Sequence, residues 1–287
     1  MYIHQLNNWN DFRYSSEGLV SALAQVRYMQ GRLLGQMQGL GFSLRAEALL
    51  TPLTLDVLKS TEIEGEILNK EQVRSSIARR LGLNVSGMVN STRDVDGVVE
   101  MMLDATQRYN EPLSHERLFG WHAALFPTGW SGMYRIEVGK YRTGEMQVVS
   151  GAMGKERVHY EAPKPEIVSD EMEKFLSWFN HESSLDSVIK AAIAHLWFIT
   201  IHPFDDGNGR IARAITDMLL ARSDGSSQRF YSMSNQILNE RKTYYDILER
   251  TQHGNGEITD WLLWFIKCLN GALSSTEILL GSILTKA

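Results

Sequence analysis

A mainly α-helical fold with one β-hairpin is what this sequence predicts, and three observations predict it. Apolar residues recur at helical spacing through most of the 287 residues. Helix breakers gather in one region, residues 127–165, with Pro127, Gly129, Gly132, Gly139, Gly144, Gly151 and Gly154. Inside that region, Met146–Val149 and Arg157–Tyr160 are short β-prone runs around Ser150-Gly151-Ala152-Met153-Gly154, the pattern of a hairpin. Hydrophobic residues at 43% against 22% charged allow a substantial core.

Taken in order, the chain opens with Trp9, Phe12 and Tyr14. A helical pattern then runs from Glu17 through Leu19, Val20, Leu23, Val26, Met29, Leu33 and Leu34. Gly31, Gly35 and Gly39, spaced by four, with Gly41 after them, suggest a helix that packs closely. A second helix is expected from about Leu53 to Ile67. The Gly/Asn/Ser-rich stretch Gly82–Ser91 reads as a loop. It divides a small helical N-terminal module, residues 1–92, from a larger unit, residues 93–287. Helices follow from Val95 to Tyr109 and from Ser114, the latter with Leu118, Trp121, His122 and Leu125 on one side. Pro163 and Pro165 end the hairpin and put the next helix at Ser169, with Met172, Phe175, Leu176 and Phe179. Val188–Ile201 and Ile211–Leu220 are helical, Ile258–Leu269 is apolar nearly all round and so buried, and Ala272–Leu284 forms a last helix.

Composition removes several classes of function. A net charge of −5 without a Lys/Arg block argues against direct nucleic-acid binding. A single cysteine, Cys268, excludes an intramolecular disulfide and a Cys-based zinc site, and reads as a small buried hydrophobe. His115 and His122 lack a third ligand at metal-binding spacing. No apolar run reaches membrane-spanning length, and Met1–Gln5 does not open a secretory leader. The expectation is a soluble, cytoplasmic protein without membrane contact.

The chemistry concentrates at His202–Arg213. Pro203 disfavours helix at His202 and interrupts the two flanking apolar helices. Gly207 and Gly209 let the backbone turn and come close to a ligand. The free N–H groups at the start of the second helix then form an anion site, and phosphate is the usual occupant. Around it stand a base, His202, a hard-metal ligand, Asp206, and two cations, Arg210 and Arg213.

The string His-x-Phe-x-Asp-Gly-Asn-Gly-Arg-x-x-Arg at 202–213 resembles, without a mismatch, the signature of the Fic family of nucleotidyltransferases. The resemblance covers roughly residues 59–266. It implies a Fic-type helical bundle with one β-hairpin flap, preceded by the N-terminal module. It implies transfer of AMP from ATP to a hydroxyl of a target protein, pyrophosphate leaving. His202 would be the general base. Asp206 would hold Mg²⁺. Phe204, Gly207, Asn208, Gly209, Arg210 and Arg213 would complete the nucleotide site, the Asn208 side chain helping at the phosphates. Arg241-x-x-Tyr244-Tyr245 also resembles the family, and Tyr245 with Gln252 would flank the adenosine, although relatives often carry Asn at the latter position. The flap, Gln147, Val148 and Val149, would pair with a target segment. The partners implied are ATP and a protein bearing a Ser, Thr or Tyr hydroxyl, with self-modification and a homodimer as further options.

Two readings of Ser60–Gly65 stand side by side. Thr61-x-x-Glu64 has the form of a capping box that starts a helix, yet Leu55 and Leu58 suggest a helix already under way. Ser60-x-x-x-Glu64-Gly65 resembles the inhibitory motif of Fic proteins, in which the carboxylate takes the guanidinium of Arg213 from the nucleotide. Other functions remain beside AMP transfer. Removal of AMP would use Glu64 to position water. Phosphate transfer is disfavoured by Gly209, where that branch tends to carry Lys. The last alternative is a binding module silenced by Glu64.

Overall fold

The structure is a computed structural model that describes residues 1–39, 42–151, 155 and 157–284. Gly41, Ala152, Met153 and Gly154 lie outside the described residues. A short 3-10 turn, Ile3–Gln5, precedes α1 (Val20–Gln38), α2 (Phe42–Ile63), α3 (Lys70–Arg80), α4 (Arg93–Gln107) and α5 (His115–Leu125). Then come β1 (Trp130–Ser131), β2 (Tyr134–Arg135), β3 (Gln147–Ser150) and β4 (Arg157–Glu161). The chain continues with α6 (Pro165–His181), α7 (Ser187–Ile201), α8 (Asn208–Asp224), α9 (Met233–Asn239), α10 (Arg241–Gln252) and α11 (Thr259–Leu284).

The centre of the bundle is the pair α7 and α8, which pack on each other. Every residue of α7 from Val188 to Ile201 is buried, so this helix has no polar face to give to solvent. Around the pair lie α4, α6 and α11. The N-terminal helices join the same body: α1 lies on α11 and α2 on α9. Among the described residues one hydrophobic cluster runs from Ile3 and Leu19 to Leu273, continuous across residues 1–92 and 93–287.

His195, in the middle of α7, shows how a polar group is tolerated there. Its Nδ1 lies 2.9 Å from the Thr216 hydroxyl and its Nε2 3.0 Å from the Tyr244 hydroxyl. Thr216 donates its own proton to the Ala212 carbonyl, so it accepts from Nδ1–H, and Tyr244 donates to Nε2. A neutral ring satisfies every member, and burial pushes the imidazole down to about 3.

Several elements differ from the sequence expectation. Helix α2 starts eleven residues before Leu53, because burial of Leu49, Leu50 and Leu53 offsets the cost of Pro52 inside the helix. It ends at Ile63 rather than Ile67, where Gly65 adopts φ +90° and turns the chain. Thr61 is inside this helix and gives its hydroxyl to the Val57 carbonyl, so it is not a cap. Residues 70–80 form a helix capped by Asn69, whose side chain accepts from the Gln72 N–H at 3.1 Å. Pro165 opens α6 instead of delaying it, since its missing N–H costs nothing in a first turn. Residues 259–284 are one helix, and β1 with β2 adds a second, smaller hairpin. Gly31 and Gly35 face solvent; α1 packs through Val26, Met29, Leu33 and Met37. No described helix is long and apolar enough to cross a membrane.

Close packing at a glycine occurs elsewhere, at Gly97 in α4. A Cβ there would stand 1.8 Å from the Ala124 carbonyl oxygen of α5. Gly97→Ala is therefore expected to destabilise by about 3 kcal/mol, because backbone must move. Gly31→Ala, with open space around it, should instead gain roughly 0.5–1 kcal/mol. Denaturant midpoints of the two variants check both; similar midpoints would show that α4 and α5 do not approach as described.

Candidate active site

The loop between α7 and α8 begins at His202, a non-glycine residue in the left-handed region (φ +50°, ψ +60°) that caps α7. This conformation brings its Nδ1 within 3.1 Å of the Ile199 carbonyl. A carbonyl only accepts, so Nδ1 carries the proton and Nε2 keeps a free lone pair. Burial pushes the imidazole down to about 4, the Arg142 charge adding to it and Glu64 and Asp206 opposing. At neutral pH the ring is an uncharged base.

Arg142 holds the loop in place. Its Nε donates to the His202 carbonyl at 2.8 Å, and its guanidinium also reaches the carbonyls of Gly144, Pro163 and Ile201. Its own N–H donates to the Pro203 carbonyl. Phe204 is fully buried and stacks on His122, ring centroids 4.3 Å apart at 15°. His122 accepts from the Gly139 N–H at Nδ1, so its Nε2–H donates to the Asp206 carbonyl. Asn208 accepts from the Phe204 N–H at 2.9 Å and donates to the Phe204 carbonyl at 2.8 Å. Phe204 thus sits as a plug under the loop, and the Asn208 amide braces the loop backbone.

Gly207, at φ +81°, starts α8, and a Cβ on it would meet the Phe126 ring at 2.9 Å. No side chain caps the first turn of α8, so its N–H groups keep their capacity for an anion. Asp206 stands beside them. Its carboxylate accepts from the Ser131 hydroxyl and from the Gly207 N–H at 2.5 Å, and its side chain remains partly exposed. Among the described residues no cluster of three His, Cys, Asp or Glu could hold a metal ion by itself. One carboxylate beside an uncapped helix start would suit Mg²⁺, which keeps water and takes oxygens from substrate phosphates.

Both signature arginines are engaged from the end of α2. Arg213 is 2% exposed and donates to the Ser60 hydroxyl at 2.9 Å, the Ser60 carbonyl at 2.8 Å and Glu64 Oε1 at 2.6 Å. Gly209 makes room: a Cβ there would lie 2.2 Å from Glu64 Oε1. Arg210, also buried and lying over the Phe126 ring, pairs with Glu66 at 3.2 Å. Arg241 donates to the Ile63 carbonyl at 3.1 Å. Glu66 and Arg241 carry no role in the sequence reading. The repeat Glu64-Gly65-Glu66 next to a signature with two arginines was the available signal for the former.

Beside them opens a cavity of about 640 Å³ whose lining includes Glu64, Val148, His202, Asp206, Gly209 and Tyr245 but neither Arg210 nor Arg213. Tyr244 and Tyr245 both line it; Tyr245 is 37% exposed and Tyr244 buried. Gln252 is 3% exposed and lies 3.4 Å from the Thr200 hydroxyl, at the cavity wall. The hairpin of β3 and β4 forms another wall. Its register shifts between Val148 and Val149, and Gln147 pairs with Glu161. Ser60 and Gly65 stay outside the lining: the first holds Arg213, the second turns the chain behind Glu64.

Residues 112–220 match the Fic/DOC family model, and residues 2–83 match a domain of unknown function, DUF4172. The protein adenylyltransferase fic-1 of Caenorhabditis elegans is 29% identical over 183 residues, 59% of this chain and 32% of that protein. A probable protein adenylyltransferase of Aquifex aeolicus is 27% identical over 166 residues, 58% of this chain and 45% of that protein. The chain thus matches between a third and a half of the length of these relatives. The crystal structure of a Fic family protein from Desulfovibrio desulfuricans superposes with a TM-score of 0.70 at 22% identity, over 92% of this chain and 75% of that one. Residues 134–508 of Fic-1 from Caenorhabditis elegans give 0.61 at 24% identity, over 94% and 75%.

The state of His202 can be read directly. The folded ring stays neutral down to about pH 4, while an unfolded chain takes up that proton near pH 6.5, the ordinary value. Unfolding therefore binds a proton in this window, and the contribution of His202 lowers stability as pH falls from about 6.5 to about 4. Ring ¹⁵N shifts should show the Nδ1–H tautomer throughout pH 5–8, pH values chosen around these limits. A charged ring at about pH 6 would refute the assignment.

Proposed function

Because the chain belongs to the Fic-domain family, we propose that it transfers AMP from ATP to a hydroxyl of a protein target and that Glu64 restrains this activity. The observation that carries the reading is the convergence, in one cavity, of a neutral imidazole with a free Nε2, a partly exposed carboxylate and a helix start. Beside them lie two buried guanidinium groups, each held by a removable anion.

In this reaction the target hydroxyl oxygen attacks the α-phosphorus of ATP, the bond from that phosphorus to the β-phosphate breaks, and His202 Nε2 takes the proton. The amides of the first turn of α8 and the cations of Arg210 and Arg213 receive the phosphates. Asp206 would hold Mg²⁺, which supplies charge neutralisation at the phosphates. The open edge of the two-stranded flap offers backbone groups to an extended target segment, with Val148 and Val149 beside the cleft. Tyr245 and Gln252 would bound the adenosine. Glu64 and Glu66 compete with the phosphates for Arg213 and Arg210, so the closed site is a restrained one.

Transfer of labelled AMP to protein in a lysate, with ATP and Mg²⁺, tests this. Glu64→Gly should raise transfer at least about tenfold, since a buried charge-assisted bond worth some 1.5–3 kcal/mol no longer competes. Glu66→Ala should raise it only about twofold, because its partly exposed pair is weak. Arg213→Ala breaks the same contact as Glu64→Gly but should not activate. His202→Ala in the Glu64→Gly background should lose roughly 100-fold or more. If wild type already equals Glu64→Gly, then Glu64 is not an inhibitor. If His202→Ala retains activity, another base serves.

A further inference from the structure

A hydroxyl–imidazole–carboxylate arrangement stands on the flap. Ser150, the last residue of β3, is exposed, and its Oγ lies 2.5 Å from His159 Nε2 in β4. On the other side of the ring, Nδ1 lies 2.7 Å from Glu249 Oε2 in α10. A carboxylate only accepts, so Nδ1 carries the proton, and Nε2 is left to accept from the Ser150 hydroxyl. This is the order of groups that activates a serine: nucleophile, base, and a carboxylate that fixes the tautomer of the base. Attachment of the flap to α10 does not depend on it. Arg157 already donates to Glu249 Oε1 at 2.6 Å, and His253 Nε2 reaches the His159 carbonyl at 3.1 Å. Ser150, His159 and Glu249 line the same cavity as His202 and Gly209.

We propose that Ser150 is an acceptor of AMP within its own chain, an assignment that rests on the AMP-transfer reading above. Ser150 Oγ bonds to the α-phosphorus of ATP, the bond from that phosphorus to the β-phosphate oxygen breaks, His159 Nε2 takes the hydroxyl proton, and pyrophosphate leaves. Glu249 stabilises the imidazolium so formed. The product is a phosphodiester on β3, beside Val148 and Val149, and it closes that strand end to other acceptors.

The test is incubation of Glu64→Gly with α-labelled ATP and Mg²⁺, followed by digestion and mass spectrometry, with pyrophosphate measured in parallel. The expected result is one AMP on the peptide bearing Ser150, formed at a rate per molecule that does not change with protein concentration. Ser150→Ala should lose that label. His159→Gln can still hydrogen-bond but cannot take the proton. It should slow labelling of Ser150 about 100-fold, the share a general base supplies, with an unchanged thermal midpoint. Release of pyrophosphate with label on other residues only would overturn the assignment and leave AMP transfer standing. Unchanged labelling in His159→Gln would overturn the relay, and a rate that rises with protein concentration would overturn transfer within one chain. If neither label nor pyrophosphate appears, AMP transfer itself is wrong and Ser150 falls with it.

Discussion

Arg213 is a buried cation, and the rest of the site depends on what pairs with it. At 2% exposure its guanidinium cannot be left to water, and a buried charge without a partner costs several kcal/mol. The fold therefore needs an anion at this point. In the closed structure the anion is Glu64, delivered from a distant part of the chain and seated where Gly209 leaves room for it. A planar guanidinium accepts a carboxylate or a phosphate through the same fork of N–H groups. The requirement that this pair meets is thus one that a nucleotide phosphate would also satisfy, so in the function we propose stability and restraint are two aspects of one contact.

Much of this was legible in the sequence because the local demands are severe. Only glycine fits position 207, where φ is positive and Phe126 stands against the missing Cβ. Helix α7 was legible because an uninterrupted apolar run of that length has nowhere to go but the centre. Prolines and glycines misled the boundaries. Pro52 hid the first half of α2, Pro165 marked a start that was read as a stop, and Asn208-Gly209 looked like loop although α8 already runs through it. Low intrinsic propensity there is overridden by packing, and the glycine is kept for the carboxylate beside it.

Glu66 apart, what stayed hidden in the site shares one cause: it works through the main chain. Arg142 grips carbonyl oxygens of His202, Gly144, Pro163 and Ile201, and Arg241 grips that of Ile63. Any residue type offers a carbonyl, so no pattern of side chains announces such a contact. His122 is similar. It ties the Gly139 amide to the Asp206 carbonyl and supports Phe204 from below, and burial pushes its ring down to about 4, so it stays neutral in that role. Asn208 also has a main-chain part that its type does not announce: its amide makes a two-point brace to the Phe204 backbone, and this brace shapes the turn that leaves the helix start open.

The body of α2 and its end are held by different forces, and this decides how the site can open. Asp56, inside the helix, accepts from the Ser232 hydroxyl at 2.7 Å and the Ser234 N–H at 3.0 Å. Close by, Arg229 and Asp217 form an ion pair at 2.8 Å with both side chains almost fully buried. Burial, with Asp56 adding, pushes the Asp217 carboxyl well above the usual range, and Arg229 opposes. Removing one member of such a cluster leaves another buried and unmatched, so α2 cannot leave α8 and α9 without a large loss. Past Ile63 the situation reverses. The helix has ended, Gly65 turns the chain, and the side chains of Glu64 and Glu66 are 30% and 53% exposed. Each contact there is a single ion pair that another anion can replace in kind. Displacing the carboxylates is therefore a matter of one turn of chain, with the helix that precedes them still anchored, so the restraint we propose would be released without unfolding the module.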